Sequence, residues 1–222
     1  MPHAAPSTFT GSADGIAILV LLTEFAMLRA QLLSSQVRLY AFQSLVVTVL
    51  AVVVAATRHI DELYLLAALS FVLKVVIVPR VVLRLLSHAE VDLAGSSAFG
   101  VATMIAIAIA ASIFGFFSIG ALHVQSTALP STALAISVAV VLVAFVLIIL
   151  RSDVVSQAIG FFSLENGVSV ASLVVASGLP LIVDVAFLFD LLAAVVVFGV
   201  LMRIHHRRTK TLSTEPLDRL RG

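Results

Sequence analysis

The chain has 222 residues, of which 61% are hydrophobic and 11% charged, and its mean hydropathy is +1.20. A soluble domain carries about 25% charged residues, so this composition excludes an ordinary soluble fold and predicts an integral membrane protein. The chain has no cysteine, which excludes disulfides, thiolate metal sites and iron–sulfur ligation. The formal net charge of +1 gives no indication of a nucleic-acid partner.

Seven apolar stretches follow a polar N-terminal tail, residues 1–12. Each is long enough to cross a hydrocarbon core, which takes about 20 residues of helix. Because lipid offers no partner to unpaired backbone groups, these stretches predict an all-α membrane protein. The transmembrane domain, residues 13–203, consists of seven predicted spans: 13–33, 38–57, 62–86, 98–120, 131–150, 154–176 and 179–203.

Arginine and lysine predict the orientation of the bundle, because they favour the cytoplasmic side of a membrane. The side without the C-terminus holds only Arg58. The N-terminus is therefore expected outside, and the basic tail, residues 204–222, in the cytoplasm, as in a multi-pass protein of the cytoplasmic (inner) membrane. The other side holds eleven basic residues: Arg29, Arg38, Arg80, Arg84, Arg151, Arg203, Arg207, Arg208, Lys210, Arg219 and Arg221.

Five ionisable residues lie inside the predicted spans, although each charge at the bilayer centre costs roughly 2.5–3.5 kcal/mol. Asp184 is nearer the outer face, about 9 Å from Asp190 along the helix axis. The segments SFVLKVV around Lys74 and AFLFDLL around Asp190 are alike, which favours a parallel three-helix repeat of spans one to three and five to seven. Four of the five residues lie at one depth, near the midplane: Glu24, Lys74, Glu165 and Asp190.

Two interpretations of this layer are open on the sequence alone. In the structural one, Lys74 pairs with a carboxylate, and the charges only hold the helices together. In the functional one, the five residues form a proton relay. Burial raises the pKa of a carboxylic acid and lowers that of a lysine, so that such groups exchange protons. The number of charges in the layer favours the relay.

The sixth span carries polar residues beside its acid. Asn166 and Gly167 directly follow Glu165, and both are poor helix formers, so we expect a local bulge there that frees backbone groups. Ser169 shares a helical face with Glu165 and is expected to extend its hydrogen bonds. These supporting residues fit a relay better than a rigid brace.

The second and third spans also contain residues that are unusual in an apolar helix. Gln43 lies a few residues into the second span and is expected to form interhelical hydrogen bonds. Pro79 cannot donate a hydrogen bond to the Val75 carbonyl, so one interpretation is a kink or a wet pocket beside Lys74, and the other is a proline merely tolerated in a membrane helix. We therefore expect polar contacts between these two helices and the layer.

No metal, cofactor or nucleotide site is expected. The six histidines lie outside the span cores, and none has a partner at a spacing suited to a metal. The sequence contains no P-loop, no GxGxxG and no pair of buried histidines for haem. No nucleophile–histidine arrangement accompanies the acids, so we expect no catalytic centre in this chain.

Four segments of the chain resemble a known family of membrane subunits. In chain order they are LYAFQSLVV, SFVLKVVIVP, GFFSLENGVSV and VDVAFLFDLLAAVVV, within residues 39–202. They are similar to the E component of hydrogenase-4, a membrane subunit of group-4 nickel–iron hydrogenases of the formate-hydrogenlyase type. That family is related to the K subunit of complex I and to the C subunit of multisubunit cation/proton antiporters.

The resemblance implies a membrane arm with large antiporter-like subunits and a soluble arm that handles hydrogen or formate. Within it, Glu165 and Asp190, together with Lys74 and Asp184, would contribute to a polar axis that moves protons or sodium ions. Glu24 lies outside the segments that carry the resemblance. Three alternatives are open: a stand-alone secondary transporter for a cation or small molecule, a purely structural membrane subunit, and a complex that handles another substrate, such as inorganic carbon, with the same membrane module.

Overall fold

The computed structural model describes residues 7–89, 93–94, 100–122, 131–175 and 199. Within these ranges every regular element is a helix, which confirms the predicted all-α class, and an isolated antiparallel bridge pairs Leu32 with Leu93. The elements in chain order are α1 (Ser7–Arg29), α2 (Leu33–Arg58), α3 (Asp61–Ser70), a π-helix (Phe71–Ile77), α4 (Val78–Ala89), α5 (Gly100–Leu122), α6 (Ser131–Leu150) and α7 (Val154–Val175).

The helix ends differ from the predicted span ends, because hydropathy marks the apolar part of a helix and not its termini. The first helix begins at Ser7, inside the segment predicted to be a polar tail, and ends at Arg29, before the predicted limit of the first span. The third predicted span corresponds to α3, the π-helix and α4, which follow one another without a break. The seventh predicted span and the basic tail lie outside the described residues, except for Gly199.

Four helical segments in the described part of the chain are long and apolar enough to cross a membrane. At about 1.5 Å per residue, each matches a hydrocarbon core about 30 Å thick. Helices α1 and α7 are described but are not among these four segments, and the seventh predicted span is not described, so the count of seven spans and the orientation of the termini stay predictions. The four segments are Leu33–Arg58, Asp61–Ser87, Gly100–Ile119 and Thr132–Leu150.

Helix α7 lies between α6 and α2, and α1 packs against both α2 and α6. Two glycines on one face of α7 permit the close approach to α6. A Cβ atom at Gly160 would lie 2.8 Å from Ile148 Cγ1, and one at Gly167 would lie 2.8 Å from Val141 Cγ2. On the other side of the bundle, α2 packs against the π-helix and α4. This arrangement brings α1, α2, α7 and the π-helix together around one interior.

Two hydrophobic clusters fill that interior at different heights. One contains Leu28, Val37 and Phe162, and the other contains Val47 and Val170. On α1, α2 and α7, buried polar residues lie between the parts of the helix that contribute to the two clusters. The bundle therefore holds a buried polar layer between two apolar ones, formed on these three helices by Thr23, Glu24, Gln43, Ser44, Ser163 and Asn166.

Candidate functional site

A buried ion pair joins the π-helix to α7. Lys74 Nζ lies 2.7 Å from Glu165 Oε1, and the two side chains are 2% and 12% exposed. The same nitrogen donates to Asn166 Oδ1 at 3.3 Å and to Ser169 Oγ at 3.2 Å. An ammonium group has three donors, so these three contacts use its whole hydrogen-bonding capacity. Lys74 is thus held in one position by three residues of α7.

Lys74 is the central residue of the π-helix, and a proline follows this helix closely in the sequence. The Val78 N–H donates to the Leu73 carbonyl, five residues earlier, which is the π-helical pattern. Pro79 has no N–H, so the α-helical bond to the Val75 carbonyl cannot form. The kink or wet pocket considered beside Lys74 stays a prediction, and the π-helix itself was not predicted. Short π-helical segments within α-helices are frequent at functional sites.

Asn166 connects the ion pair to α2. Its Oδ1 accepts from Lys74, while its Nδ2 donates to Gln43 Oε1 at 3.0 Å and to Ser44 Oγ at 2.9 Å. The bulge predicted at this residue is wrong, because α7 is a continuous α-helix from Val154 to Val175. The asparagine side chain finds its partners on neighbouring helices, so it does not compete for the backbone of its own helix.

Glu24 forms the α1 end of the layer and is fully buried. Gln43 Nε2 donates to Glu24 Oε2 at 2.8 Å and to the Val20 carbonyl at 3.2 Å. Ser163 Oγ contacts Glu24 Oε2 and also lies 2.8 Å from Gln43 Oε1. Among the described residues, Glu24 Oε1 has no hydrogen-bond partner. Hydrogen bonds thus run from Glu24 through Gln43 and Asn166 to Lys74 and Glu165.

The structure brings most of the predicted site residues into this one layer. Asp184 and Asp190 lie outside the described residues, so their positions stay predictions. Ser44 and Ser163 were missed as site residues, although Ser163 lies three residues before Asn166 and therefore on the same helical face. The predicted residues that meet are Glu24, Gln43, Lys74, Glu165, Asn166 and Ser169.

A second set of polar side chains lies at the turn between α6 and α7. Arg151 Nη2 donates to the carbonyls of Leu28 at 2.7 Å and Ala30 at 2.9 Å, at the C-terminal end of α1. Asp153 Oδ1 accepts from the Ser156 N–H at 2.7 Å and so caps the N-terminus of α7. Burial lowers the pKa of Arg151 and the charge of Asp153 raises it, while an arginine stays protonated throughout.

The chemistry available to the polar layer follows from its groups, which are two carboxyls, one ammonium, two amides and several hydroxyls. Within the segments that the structure describes, no cluster of three or more His, Cys, Asp or Glu side chains could hold a metal ion. Carboxyl and ammonium groups bind and release protons, and hydroxyls and amides orient hydrogen bonds. The layer is therefore suited to holding protons and shifting charge.

Comparison with known proteins gives three matches over nearly the whole chain. Hydrogenase-4 component E of Escherichia coli strain K12 is 24% identical over 215 residues, which cover 96% of this chain and 100% of that protein. The proteins of the same name from Escherichia coli O157:H7 and Shigella flexneri match equally well. This match supports the resemblance to the hydrogenase-4 component E family. The relation to complex I and antiporter subunits stays a prediction.

A fourth relative matches over a shorter part of the chain. An uncharacterized protein of Mycobacterium tuberculosis is 39% identical over 71 residues, which are 32% of this chain and 31% of that protein. No family model matches the chain, and no solved structure matches it. The full-length similarity to component E is therefore the comparison that bears on function.

Proposed function

We propose that this chain is a non-catalytic membrane-arm subunit of a hydrogenase-like or complex I-like respiratory assembly, in which its buried charges help to move protons or sodium ions. The near full-length similarity to hydrogenase-4 component E and the four apolar helices support a membrane-bound subunit. The partners are antiporter-like membrane subunits and a soluble arm that handles hydrogen or formate. Electron transfer takes place in those partners, and this chain contributes to the ion path.

The observation that carries the proposal is the ion pair of Lys74 and Glu165, buried between apolar clusters. A buried ion pair is a weak stabiliser, because desolvation of two charges offsets most of their attraction. Well-packed apolar residues of similar volume often give equal or greater stability. Retaining the pair in a helical bundle is therefore better explained by charge movement than by folding.

A proton that reaches Glu165 removes the negative charge 2.7 Å from Lys74. Among the described residues, the ammonium then has the neutral acceptors Asn166 and Ser169, in a medium where an unpaired charge is costly. It responds by moving towards another carboxylate.

Asp184 and Asp190 are the further acids that we propose for this path. Each is an acid inside the predicted seventh span, and Asp190 is predicted at the depth of Lys74. They would accept charge from the Lys74–Glu165 pair or deliver it.

The proposal is tested by Glu165→Gln, which keeps the size of the side chain and an oxygen for Lys74 but removes the dissociable proton. We expect the complex to assemble and to transfer electrons. Ion transport per electron transferred should fall about tenfold or more, as for a barrier increase of about 1.4 kcal/mol. The measurement is proton and sodium uptake by vesicles that contain the purified complex.

A matched control is Glu62→Gln, which changes an exposed acid in the first turn of α3 by the same atoms. This variant should transport ions as the wild type does. An assembled Glu165→Gln complex with the wild-type transport rate would show that Glu165 is not part of the ion path.

One observation favours a second candidate, a purely structural subunit. All three donors of Lys74 are engaged, and the layer ties the π-helix, α2 and α7 together. Under this alternative, a complex with the paired replacements Lys74→Met and Glu165→Gln assembles and transports ions as the wild type does. Under the proposal it assembles without efficient transport.

A further inference from the structure

Ser163 lies between two oxygens that belong to other helices. The number of hydrogens available to these oxygens indicates which group donates to which. Its hydroxyl has one hydrogen, yet its oxygen contacts both Glu24 Oε2 and Gln43 Oε1. The amide hydrogens of Gln43 are used by Glu24 and the Val20 carbonyl. Each oxygen–oxygen contact needs one hydrogen between the two atoms. Both contacts are satisfied when Glu24 donates to Ser163 and Ser163 donates to Gln43.

The charges around the layer lead to the same assignment. Lys74 is paired with Glu165, so no cation in the described part of the layer is left for Glu24. Helices α5 and α6, which also pack against α1, contain no ionisable residue. On α2, Arg38 and Arg58 are exposed. An ionised Glu24 would be a buried charge with no cationic partner among the described residues, which is unfavourable.

We propose that Glu24 is a second proton-binding site of the layer, occupied by a proton in this arrangement and separated from the Lys74–Glu165 pair by the amides of Gln43 and Asn166. A hydroxyl or carboxyl passes a proton on by accepting one hydrogen and releasing another. An amide N–H does not ionise in this way, so Gln43 and Asn166 transmit hydrogen-bond orientation and not protons. Exchange of the Glu24 proton therefore requires the carboxylic acid to turn its O–H away from Ser163, towards the side where Oε1 has no partner among the described residues.

This inference goes beyond the proposed function, because it concerns which acid stores a proton and holds whether or not the complex transports ions. Infrared spectroscopy of the full chain in lipid nanodiscs measures it directly. A protonated carboxylic acid gives a carbonyl stretching band that moves to lower wavenumber in heavy water. We expect this band at neutral pH in the wild type, its loss in Glu24→Gln, and its retention in the control Glu62→Gln.

Ser163→Ala provides a second variant that keeps the acid but removes the acceptor of its hydrogen. In this variant the band should stay and move to higher wavenumber. A wild-type band that neither Glu24→Gln nor Ser163→Ala alters would overturn the proposal. Absence of the band from the wild type at neutral pH would also overturn it, because Glu24 would then be ionised.

A second measurement tests whether protons pass between Glu24 and the Lys74–Glu165 pair. It is the rate at which the Glu24 band shifts after transfer to heavy water. The paired replacements Lys74→Met and Glu165→Gln remove the exchangeable acid and keep the net charge of the layer. If Gln43 and Asn166 block proton transfer, the exchange rate equals that of the wild type. Exchange slowed tenfold or more in this variant would show that the proton passes through the Glu165 side.

Discussion

The polar layer and the turn between α6 and α7 are both buried and polar, but their side chains bond to different groups. At the turn, Arg151 donates to backbone carbonyls at the end of α1, and Gln36 Nε2 donates to the Ala30 carbonyl at 3.2 Å. Helix ends leave backbone groups without intrahelical partners, so these side chains replace missing bonds. In the layer, the side chains of Lys74 and Glu165 bond mainly to other side chains.

From this difference we expect the turn to contribute to stability and the layer to contribute to function. The α-helices α1, α2 and α7 satisfy their own backbone bonds where they pass through the layer, so they have no need of polar side chains at that height. Burying these polar residues has a desolvation cost that backbone bonding does not explain. We therefore propose that the layer takes part in ion movement. The turn residues, by contrast, are expected to matter for folding and assembly and not for transport.

The largest effect on stability is expected from Lys74→Met, which leaves Glu165 without its cation. Removing one partner of a buried ion pair costs about 3–5 kcal/mol, because a charge is left uncompensated. The measurement is unfolding of the purified chain in mixed micelles. Adding Glu165→Gln to this variant should recover most of the loss. If the single variant is no less stable than the double one, the two side chains do not form a buried ion pair.

A smaller effect is expected from Arg151→Met at the turn. The carbonyls of Leu28 and Ala30 lose a charged donor, which costs about 1.5–3 kcal/mol. Ion transport per assembled complex should stay at the wild-type rate, unlike in Glu165→Gln. The exposed Arg38 provides the control, since Arg38→Met should alter neither quantity. A transport defect in assembled Arg151→Met complexes would contradict the division between the two regions.

The sequence alone was sufficient to predict that the chain is helical and that three of its buried charges lie at one depth. Long apolar runs predict helices in lipid, and counting residues from the ends of those runs placed Glu24, Lys74 and Glu165 at one height. Both depend on local sequence alone. Hydropathy could not give the first residue of α1, because polar residues at a helix end contribute backbone bonds and no apolar signal.

The partners within the layer could not be predicted, because they depend on how the helices rotate and pack. Close contact of α7 with α6 at Gly167 turns Asn166 towards α2, and no spacing rule in the sequence gives that rotation. The bulge predicted at Asn166 failed for this reason: tertiary contacts decided its conformation, not intrinsic helix propensity. The π-helix centred on Lys74 could not be predicted either, because it depends on which backbone N–H pairs with which carbonyl.

The smallest effect is expected from Asp153→Ala, which removes the N-cap of α7. The lost hydrogen bond to the Ser156 N–H costs about 1 kcal/mol, while transport per assembled complex stays unchanged. Asp153→Asn separates the cap from the charge, because asparagine caps a helix equally well but cannot attract Arg151. Wild-type stability in Asp153→Asn assigns the effect to the cap. A loss equal to that of Asp153→Ala assigns it to the charge, and the turn would then depend on electrostatics as the layer does.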